Sequence, residues 1–596
     1  FKIIIYASHI VFSSILWYNK VWRLSMKVTT SKSKNAESFY ISKSFINDKG
    51  VSTSVNVRKL GTLADLLKEH GPTRDDVMKW ARAEAKLETQ KYKEDKIVNF
   101  SFNSSKRLQP QQQVFYRGGY LFLQYFYYKL GLHKVCRKIR DKYNFKFDIN
   151  SILSDLIYSR ILEPSSKRSS YSCSMGFLEP PSYQLHDVYR SLNVLGKECD
   201  LIQSETYRNS HLVGKRNDKL LFYDCTNYYF EIEDEDGIKR YGKSKEHRPN
   251  PIIQMGMFMD GDGIPLAFSL FPGNANEQTS IKPLEEKILK EFDCQKFIYC
   301  SDAGLGSEKI RKYNHMGERA FVVTQSIKKL NAQDRQWALD TKGFKSLYDN
   351  KVVDLAEISM DDETIYYKDA PYTPKDLSQR LIITYSPKYA KYQKAIREKQ
   401  VDRAKLMLEK GSIKKERRNP NDPARFLGSI AVTDDGEKAN VHNFLNTDKI
   451  DEEAKYDGMY AISTDLLDDD VSEILSISEK RWQIEECFRI MKTEFEARPV
   501  YLQRVDRITA HFLTCFLALI IYRYLEKFLE HKYTCEEILK TLKDFNFAYV
   551  KEQGFIPLYK RTELTDKLHE ICHFNTDFEF ITKSQMRTIQ KQSKGK

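Results

Sequence analysis

The sequences LLFYDCTNYYF at residues 220–230 and FIYCSDAGL at residues 297–305 decide the fold expected for this chain. Each begins with an apolar run of the length of a buried strand. Each run ends in an aspartate, Asp224 in the first and Asp302 in the second. We therefore expect two neighbouring strands that carry carboxylates at their ends.

Strand and helix patterns alternate around these two runs. Turn sequences separate the strands, DEDG at 234–237 and DGDG at 260–263. A helical pattern runs from Glu277 to Phe292, with Asn276 as its cap. The strands are predicted at 219–224, 227–232, 252–259, 264–270, 297–301 and 320–324. This order of three antiparallel strands, helix, strand, helix and strand is that of an RNase H-like core, so the fold class is α/β.

The rest of the chain is organised around that core. We expect a mostly helical N-terminal region, a core in two parts, a β-rich inserted domain and a C-terminal region with a basic tail. The N-terminal region is 26–215. The core comprises 216–326 and 456–530, and the inserted domain lies between these parts at 327–455. The C-terminal region is 531–596. Strands are predicted within 38–60, and at 352–357, 364–367, 381–385 and 427–433. Further helices are predicted at 73–95, 118–132, 149–162 and 186–199.

Two apolar segments bear on the question of a membrane. Residues 1–25 resemble a weak signal or anchor, but the chain begins at Phe1 and Met26 opens a plausible soluble start. We interpret this leader as an over-extended reading frame or a non-native segment rather than a membrane span. Residues 512–522 are too few to span a bilayer and are predicted to be a core helix.

The composition favours a polyanionic partner. The 596 residues carry a net charge of +14, and a balance of this sign is typical of proteins that bind nucleic acid. The ten cysteines include no C-x-x-C pair. That pattern favours reduced thiols in a cytoplasmic protein without a zinc site.

A third carboxylate lies on a predicted helix at 478–496. At 100° per residue, Glu485 lies about 40° and Lys492 about 20° from Arg481, so the three share one face. Glu486 lies about 100° from Glu485 and is the weaker candidate. An apolar stripe lies beside that face, formed by Ile484, Phe488, Met491 and Phe495. The alternative is a solvated helix with ordinary salt bridges.

Asp224, Asp302 and Glu485 together are a common arrangement for holding divalent metals against a phosphodiester. Several motifs in this chain also resemble those of insertion-sequence DDE transposases, in the order of that family. They are PSSK (164–167), DCTNYYF (224–230), GKSKEHRP (242–249), LFPGNANE (270–277), SDAGL (301–305) and RWQIEECFRIMK (481–492). The last fits the R-E-K part of the Y-R-E-K signature, and Ser478 stands where its tyrosine would fall.

The resemblance implies a metal-dependent DNA transposase with these three residues as metal ligands and with a DNA-binding region at residues 26–215. Two Mg²⁺ ions are expected, with Mn²⁺ able to replace them. Arg481 and Lys492 would hold phosphate. The implied partners are the inverted repeats at the element's ends and the target DNA, bound by a homodimer on paired ends, in the bacterial cytoplasm at the nucleoid and without a membrane. The alternatives are a catalytically silent DNA-binding relative and a general RNase H-like nuclease.

A basic segment is a second candidate for DNA contact. Residues 388–418 hold twelve Lys or Arg and four Asp or Glu, a net charge of +8 (12 − 4). Phosphate contacts are predicted for Lys414, Lys415, Arg417 and Arg418. A merely solvated helix is the alternative. The acid-free tail around Lys583 to Lys596 is predicted to be disordered.

Overall fold

The computed structural model places the chain in two compact units, residues 1–112 and 113–596. The described residues are 26–34, 36–46, 52–94, 102, 104–110, 112–292, 294–410, 421–432 and 440–595. The leader 1–25 and the cluster at 414–418 lie outside them, so the predictions made for both stay predictions.

The first unit is a small sheet followed by two helices. Its elements are β1 (Lys27–Lys32), β2 (Glu37–Ile46), β3 (Ser52–Thr62), α1 (Leu63–His70) and α2 (Arg74–Glu94). The strands form an antiparallel meander, and Phe39 packs with Leu66 and Val77 between sheet and helices. The strands predicted within 38–60 and the helix at 73–95 are confirmed.

The second unit begins with a bundle of helices. They are α3 (Tyr120–Lys129), α4 (Leu132–Lys142), α5 (Ile149–Leu162), α6 (Lys167–Ser174), α7 (Leu185–Lys197) and α8 (Cys199–Val213). The helix α5 is capped by Asp148, whose carboxylate accepts from the backbone N–H of Asn150 and Ser151. It ends two residues before Pro164, as predicted. The three predicted helices are present, and α4, α6 and α8 are additional.

A ten-stranded mixed sheet forms the centre of this unit. Its strands are β5 (Leu220–Tyr229), β6 (Ile252–Asp260), β7 (Pro265–Pro272), β8 (Ile298–Ser301), β9 (Ala320–Thr324), β10 (Phe344–Ser346), β11 (Val352–Val353), β12 (Tyr366–Tyr372), β13 (Gln379–Tyr385) and β16 (Met459–Thr464). Their order is β11-β10-β12-β13-β16-β9-β8-β5-β6-β7. The connecting helices are α9 (Glu277–Glu291) and α10 (Glu308–Asn314). The fold is therefore α/β, with the predicted order of elements from β5 to β9.

One strand differs from the prediction. The separate strands expected at 219–224 and 227–232 form the single strand β5, because residues 221–229 pair without a break along β6. Asp224 consequently lies inside a strand and not at its end.

The segment 327–455 adds strands to the same sheet, since β13 pairs antiparallel with β16. It also contains α11 (Ala332–Leu339), α12 (Pro387–Glu409), β14 (Leu427–Val432), β15 (Asn440–Leu445) and α13 (Thr447–Ala454). The strand expected at 352–357 is short, because Asp354 caps a 3-10 turn by accepting from the N–H of Ala356 at 3.0 Å.

Helices cover both faces of the central sheet. Along β5, Phe222 and Tyr228 belong to one buried cluster, whereas Leu221 and Tyr223 belong to the other. This alternation is the period of a strand with both faces buried. On the first face lie α14 (Val471–Glu479), α15 (Trp482–Thr493) and α16 (Val505–Phe528). On the second lie α9 and α10.

The helix α16 is the centre of the larger core. It packs against α3, α5, α7, α15 and β7, and it is apolar on all sides, as a fully surrounded helix must be. Among the described helices it is the one with the length and hydropathy of a membrane span, and 94% of its most apolar window is buried inside the protein. This burial confirms the core helix predicted at 512–522.

The C-terminal region is an ordered α+β layer. Its elements are α17 (Cys535–Asp544), β17 (Asn546–Val550), β18 (Gly554–Pro557), α18 (Glu563–Cys572), β19 (Ile581–Thr582) and α19 (Lys583–Gln592), and β17 also pairs with β4 (Phe115–Arg117). The predicted disorder of the tail is wrong. Met586 and Ile589 are buried on one face of α19, and the Lys594 ammonium lies 2.5 Å from the Glu179 carboxylate.

Candidate active site

The two aspartates lie at matching positions on neighbouring parallel strands. Phe222 of β5 pairs with Cys300 of β8, and two further residues along each strand lead to Asp224 and Asp302. Asp224 Oδ1 accepts from the backbone N–H of Cys225 at 2.7 Å. Asp302 follows the last residue of β8, and its Oδ1 accepts from the N–H of Leu305 at 2.9 Å. The register thus brings the two carboxylates together.

Asp224 shares a sheet face with Phe222 and Tyr228, because alternate residues of a strand point to the same side. This is the face against which α15 packs. The Tyr228 hydroxyl lies 3.9 Å from the sulfur of Met491 in that helix. The third predicted carboxylate, Glu485, therefore lies on the element that covers the aspartates.

The predicted helix 478–496 is divided in the structure. The helix α14 ends at Glu479 and α15 begins at Trp482, because the N–H groups of Lys480 and Arg481 bond to carbonyls three residues back. Arg481 keeps helical backbone angles, so its side chain still reaches one turn along the chain. The apolar stripe predicted beside this face is confirmed, since Ile484, Phe488, Met491 and Phe495 are all buried.

Glu485 is turned toward a cation. Its carboxylate lies 3.0 Å from the Arg481 guanidinium, and its side chain is 56% exposed. Glu486 points elsewhere, to Arg489 at 2.7 Å. The carboxylate oxygens of Asp224, Asp302 and Glu485 do not all lie within 4.8 Å of one another. Among the described residues, one group of possible metal ligands does meet this distance, and it is formed by Asp566, His569 and Asp577.

Charges of both signs surround Asp224. Burial raises the pKa of its carboxyl to about 6, and the negative charge of Asp302 adds to this increase, whereas Lys245 and Arg481 oppose it. Two cations and a second carboxylate are therefore electrostatic neighbours of Asp224. Arg481 links this group to Glu485 through their ion pair.

Lys492 belongs to the same group. Burial and, to a smaller extent, the neighbouring charge of Lys245 lower the pKa of its ammonium to about 8, while the charge of Asp224 opposes both. The ammonium lies 5.5 Å from the centre of the Tyr228 ring. The structure thus brings Asp224, Asp302, Arg481 and Lys492 together, with Glu485 beside them.

The loop between β5 and β6 adds residues that sequence reasoning missed. The Lys245 ammonium donates to the carbonyl of Cys225 and lies 3.7 Å from Glu277. Glu246 pairs with Lys492 at 3.6 Å and also with Arg498. The GKSKEHRP motif was the available signal, but a motif does not show which charges its residues will meet.

Gly242 positions this loop by a close approach of two backbone segments. A Cβ at Gly242 would lie 2.0 Å from the carbonyl oxygen of Gly273, so no larger residue fits without a shift. Gly242 and Gly273 each belong to one of the two quoted motifs between the aspartates. Their contact holds the start of the Ser244–Arg248 segment against the end of β7.

Ser478 occupies the place of the signature tyrosine at the edge of a cavity of about 220 Å³, which Arg481 and Trp482 also line. The Ser478 hydroxyl lies 3.5 Å from the Tyr460 hydroxyl. Tyr460 in turn lies 2.6 Å from the Thr324 hydroxyl. A tyrosine of β16 is thus present where the helix lacks one.

The donor set fits a divalent cation. Oxygen ligands suit Mg²⁺, and the charge of such a cation would favour the ionised form of Asp224, whose pKa burial raises to about 6. Glu485 would complete the set on release from Arg481, because it is exposed and held by one ion pair. The other group is a poorer fit, since Arg561 already pairs with both Asp566 and Asp577.

The chain was compared with known proteins. A family model described as the transposase DDE domain matches residues 218–521, just over half of the chain. No curated protein matches. Among solved structures, the piggyBac transposase synaptic complex with hairpin DNA is similar with a TM-score of 0.32 and 8% identity, over 79% of this chain and 88% of that one, a similarity too low to bear on the fold. The matched range contains Asp224, Asp302 and Glu485, and the chain belongs to the family of transposases with a DDE domain.

Proposed function

We propose that this transposase is catalytically active, binds the terminal inverted repeats of an insertion sequence, and cleaves and joins DNA strands at Asp224, Asp302 and Glu485. The observation that carries the proposal is the register of β5 and β8, which aligns the two aspartates on the face covered by α15. Two adjacent carboxylates and a third on a covering helix can hold divalent metals at a phosphodiester.

The catalytic fold is proposed to be an RNase H-like core. Support comes from the three antiparallel strands β5 to β7, followed by α9, β8, α10 and β9, with β8 and β9 parallel to β5. In this proposal α15 is the last core helix. Residues 26–215 bind DNA, 327–455 are an inserted domain and 531–596 a C-terminal region.

Asp224, Asp302 and Glu485 would hold Mg²⁺, as two ions, which would supply an activated water or 3′-hydroxyl and stabilisation of the leaving oxygen. The protein's own cations act on the substrate's charge. Arg481 can hold a phosphate with two parallel N–H bonds once Glu485 turns away from it, and Lys492 offers a point charge. With a pKa of about 8, Lys492 is mostly protonated at neutral pH.

The proposed partners are the element's ends and a target DNA. The net charge of +14 supports a nucleic-acid partner. The exposed rings of Tyr389 and Tyr392 on α12 stack at 6.2 Å beside several lysines, which supports DNA contact by the inserted domain. A homodimer on paired ends, and a place at the nucleoid in the bacterial cytoplasm, are proposed from the family resemblance.

The test is Mg²⁺-dependent cleavage of a labelled element end, with scrambled DNA of equal length as competitor. The end is identified by sequencing inverted repeats beside the gene. Asp302→Asn and Glu485→Gln should each abolish cleavage and leave binding of the end intact, because each removes an anionic ligand with little change of shape. Glu486→Gln is the matched control and should cleave normally.

Three outcomes would decide against the proposal. Binding of ends without cleavage by the wild type would identify a silent DNA-binding relative. Cleavage of both DNAs at equal rates would identify a general nuclease. Normal cleavage by Asp302→Asn or Glu485→Gln would remove that residue from the site.

A further inference from the structure

One carboxylate lies among three cations beside the candidate active site. Glu246 Oε1 lies 3.6 Å from the Lys492 ammonium and also pairs with the Arg498 guanidinium. Its Oε2 lies 3.8 Å from Nε of Arg248. The three cations exceed the single carboxylate by two charges, so this group has more positive charge than Glu246 balances.

The cations are held in place by residues other than Glu246. Arg248 and Arg498 lie 4.2 Å and 5.7 Å from the centre of the Tyr229 ring. Lys492 lies 5.5 Å from the centre of the Tyr228 ring. Cation–π contacts of this kind orient a charge without neutralising it. The side chains of Lys492 and Arg498 are only 15% and 21% exposed, so both cations are partly desolvated and attract an anion more strongly than surface charges do.

The backbone on either side of Glu246 is fixed, because the N–H of Lys245 donates to the Asn227 side chain at 3.3 Å and the Lys245 ammonium donates to the carbonyl of Cys225. The Ser244 hydroxyl accepts from the backbone N–H of Glu246 at 3.2 Å and of Arg248 at 3.3 Å. The intervening His247 has a left-handed backbone, with φ of 56°. The Ser244–Arg248 segment belongs to no strand or helix. Because ion pairs hold the Glu246 carboxylate, a rotation of this side chain is enough to free the cations without movement of the backbone.

We propose that Lys492, Arg498 and Arg248 form a binding site for a backbone phosphate of DNA, and that Glu246 occupies this site in the DNA-free protein. The proposal rests on the proposed function, since the ligand is DNA. A phosphate has more acceptor oxygens than a carboxylate and can pair bidentately with each guanidinium. Glu246 then competes with DNA, and it opposes unproductive binding of phosphates next to Asp224.

The test is the affinity of full-length protein for a short labelled duplex, measured by fluorescence anisotropy in EDTA over a salt series. Glu246→Gln should bind roughly fivefold more tightly than the wild type, about the effect of one ion pair. Arg498→Gln and Arg248→Gln should bind more weakly and lower the salt slope by about one phosphate each. Adding Arg498→Gln to Glu246→Gln should remove most of the gain, because the two residues share the site.

Glu494→Gln is the matched control, since Glu494 is a partly exposed carboxylate paired with an arginine, Arg489, at 3.4 Å. It should bind like the wild type. A folded Glu246→Gln protein, checked by circular dichroism, that binds no more tightly than the wild type overturns the proposal and makes Glu246 a brace for Lys492 and Arg498.

Failure of this proposal is distinguishable from failure of the proposed function. Tighter binding by Glu246→Gln without any cleavage in Mg²⁺ supports the phosphate site and rejects the catalytic function. Cleavage by the wild type without tighter binding by Glu246→Gln supports the catalytic function and rejects the phosphate site. A wild type that binds no duplex rejects both.

Discussion

Replacing Asp224 by asparagine should make the metal-free protein more stable while it removes the response to Mg²⁺. The folded protein raises the pKa of this carboxyl from 3.8 to about 6, mainly by burial. A carboxyl whose pKa is raised by folding destabilises the folded state wherever it is ionised in both states. The loss of folding free energy from Asp224 is small below about pH 4. It grows as the pH rises through the interval between the two pKa values and reaches its full size above pH 6.

The magnitude follows from the size of the pKa difference. One pKa unit corresponds to about 1.4 kcal/mol, so ionised Asp224 costs up to about 3 kcal/mol above pH 6. Solvent reaches part of the side chain, which reduces the expected gain in the asparagine variant to roughly 2 kcal/mol. Asparagine keeps an oxygen that can accept from the N–H of Cys225, the bond that Asp224 makes at 2.7 Å, so little packing is lost.

The assay is urea denaturation of Asp224→Asn and wild type in EDTA and in excess Mg²⁺, at about pH 8 and about pH 4. At the higher pH in EDTA the variant should be the more stable protein, and near pH 4 the difference should be small because Asp224 of the folded protein is then protonated and as neutral as asparagine. Mg²⁺ should stabilise the wild type at the higher pH, since a ligand of the folded state shifts the equilibrium, and the variant much less.

Glu486→Gln is the control, because its partner is Arg489 and it is not a neighbour of Asp224. It should show no gain in EDTA and a normal response to Mg²⁺. The reasoning is refuted if Asp224→Asn is no more stable than the wild type in EDTA at the higher pH, or if it keeps the full response to Mg²⁺.

Three further predictions concern DNA contacts and the core. Arg481→Ala and Lys492→Ala should each weaken binding of DNA ends and lower the salt slope by about one phosphate; an unchanged slope would mean that they only brace α15. Reversing the four basic residues within 414–418 to glutamate should weaken binding strongly at low salt with an unchanged circular dichroism spectrum, and wild-type affinity would remove these residues from the interface. Asp260→Ala should lower the free energy of unfolding, measured in urea, by about 3–5 kcal/mol, because it leaves the buried Arg216 without its partner. In the wild type the two side chains lie 2.6 Å apart and are 1% and 0% exposed. A loss below about 1 kcal/mol would mean that Arg216 finds another partner.

The sequence was sufficient for the parts of the fold that depend on local patterns. Apolar runs and turns predict the order from β5 to β9, and the helical period predicts the buried face of α15 correctly. The same period misses the break at Lys480 and Arg481, because Arg481 keeps helical backbone angles. A continuous β5 was missed because Asp224 and Asn227 lower its strand propensity, and only pairing with β6 compensates.

The candidate site was only partly predictable for a different reason. Asp224, Asp302, Arg481 and Lys492 are recognisable from their motifs, and the structure brings them together. Glu246 and Arg498 meet across the unit from segments far apart in sequence, and no local pattern shows such a pairing. The tail was predicted to be disordered from its charge, whereas burial of Met586 and Ile589 outweighs that repulsion.

The central position of α16 has a consequence for how the protein is made. The helices α3, α5 and α7 and the strand β7 all leave the ribosome long before α16 does, and they pack against it. Until residue 528 has emerged, the apolar surfaces of these elements stay uncovered in the nascent chain. Such surfaces can aggregate or bind chaperones. A message that ends before residue 528 therefore leaves these elements of the second unit without the helix that buries their apolar surfaces.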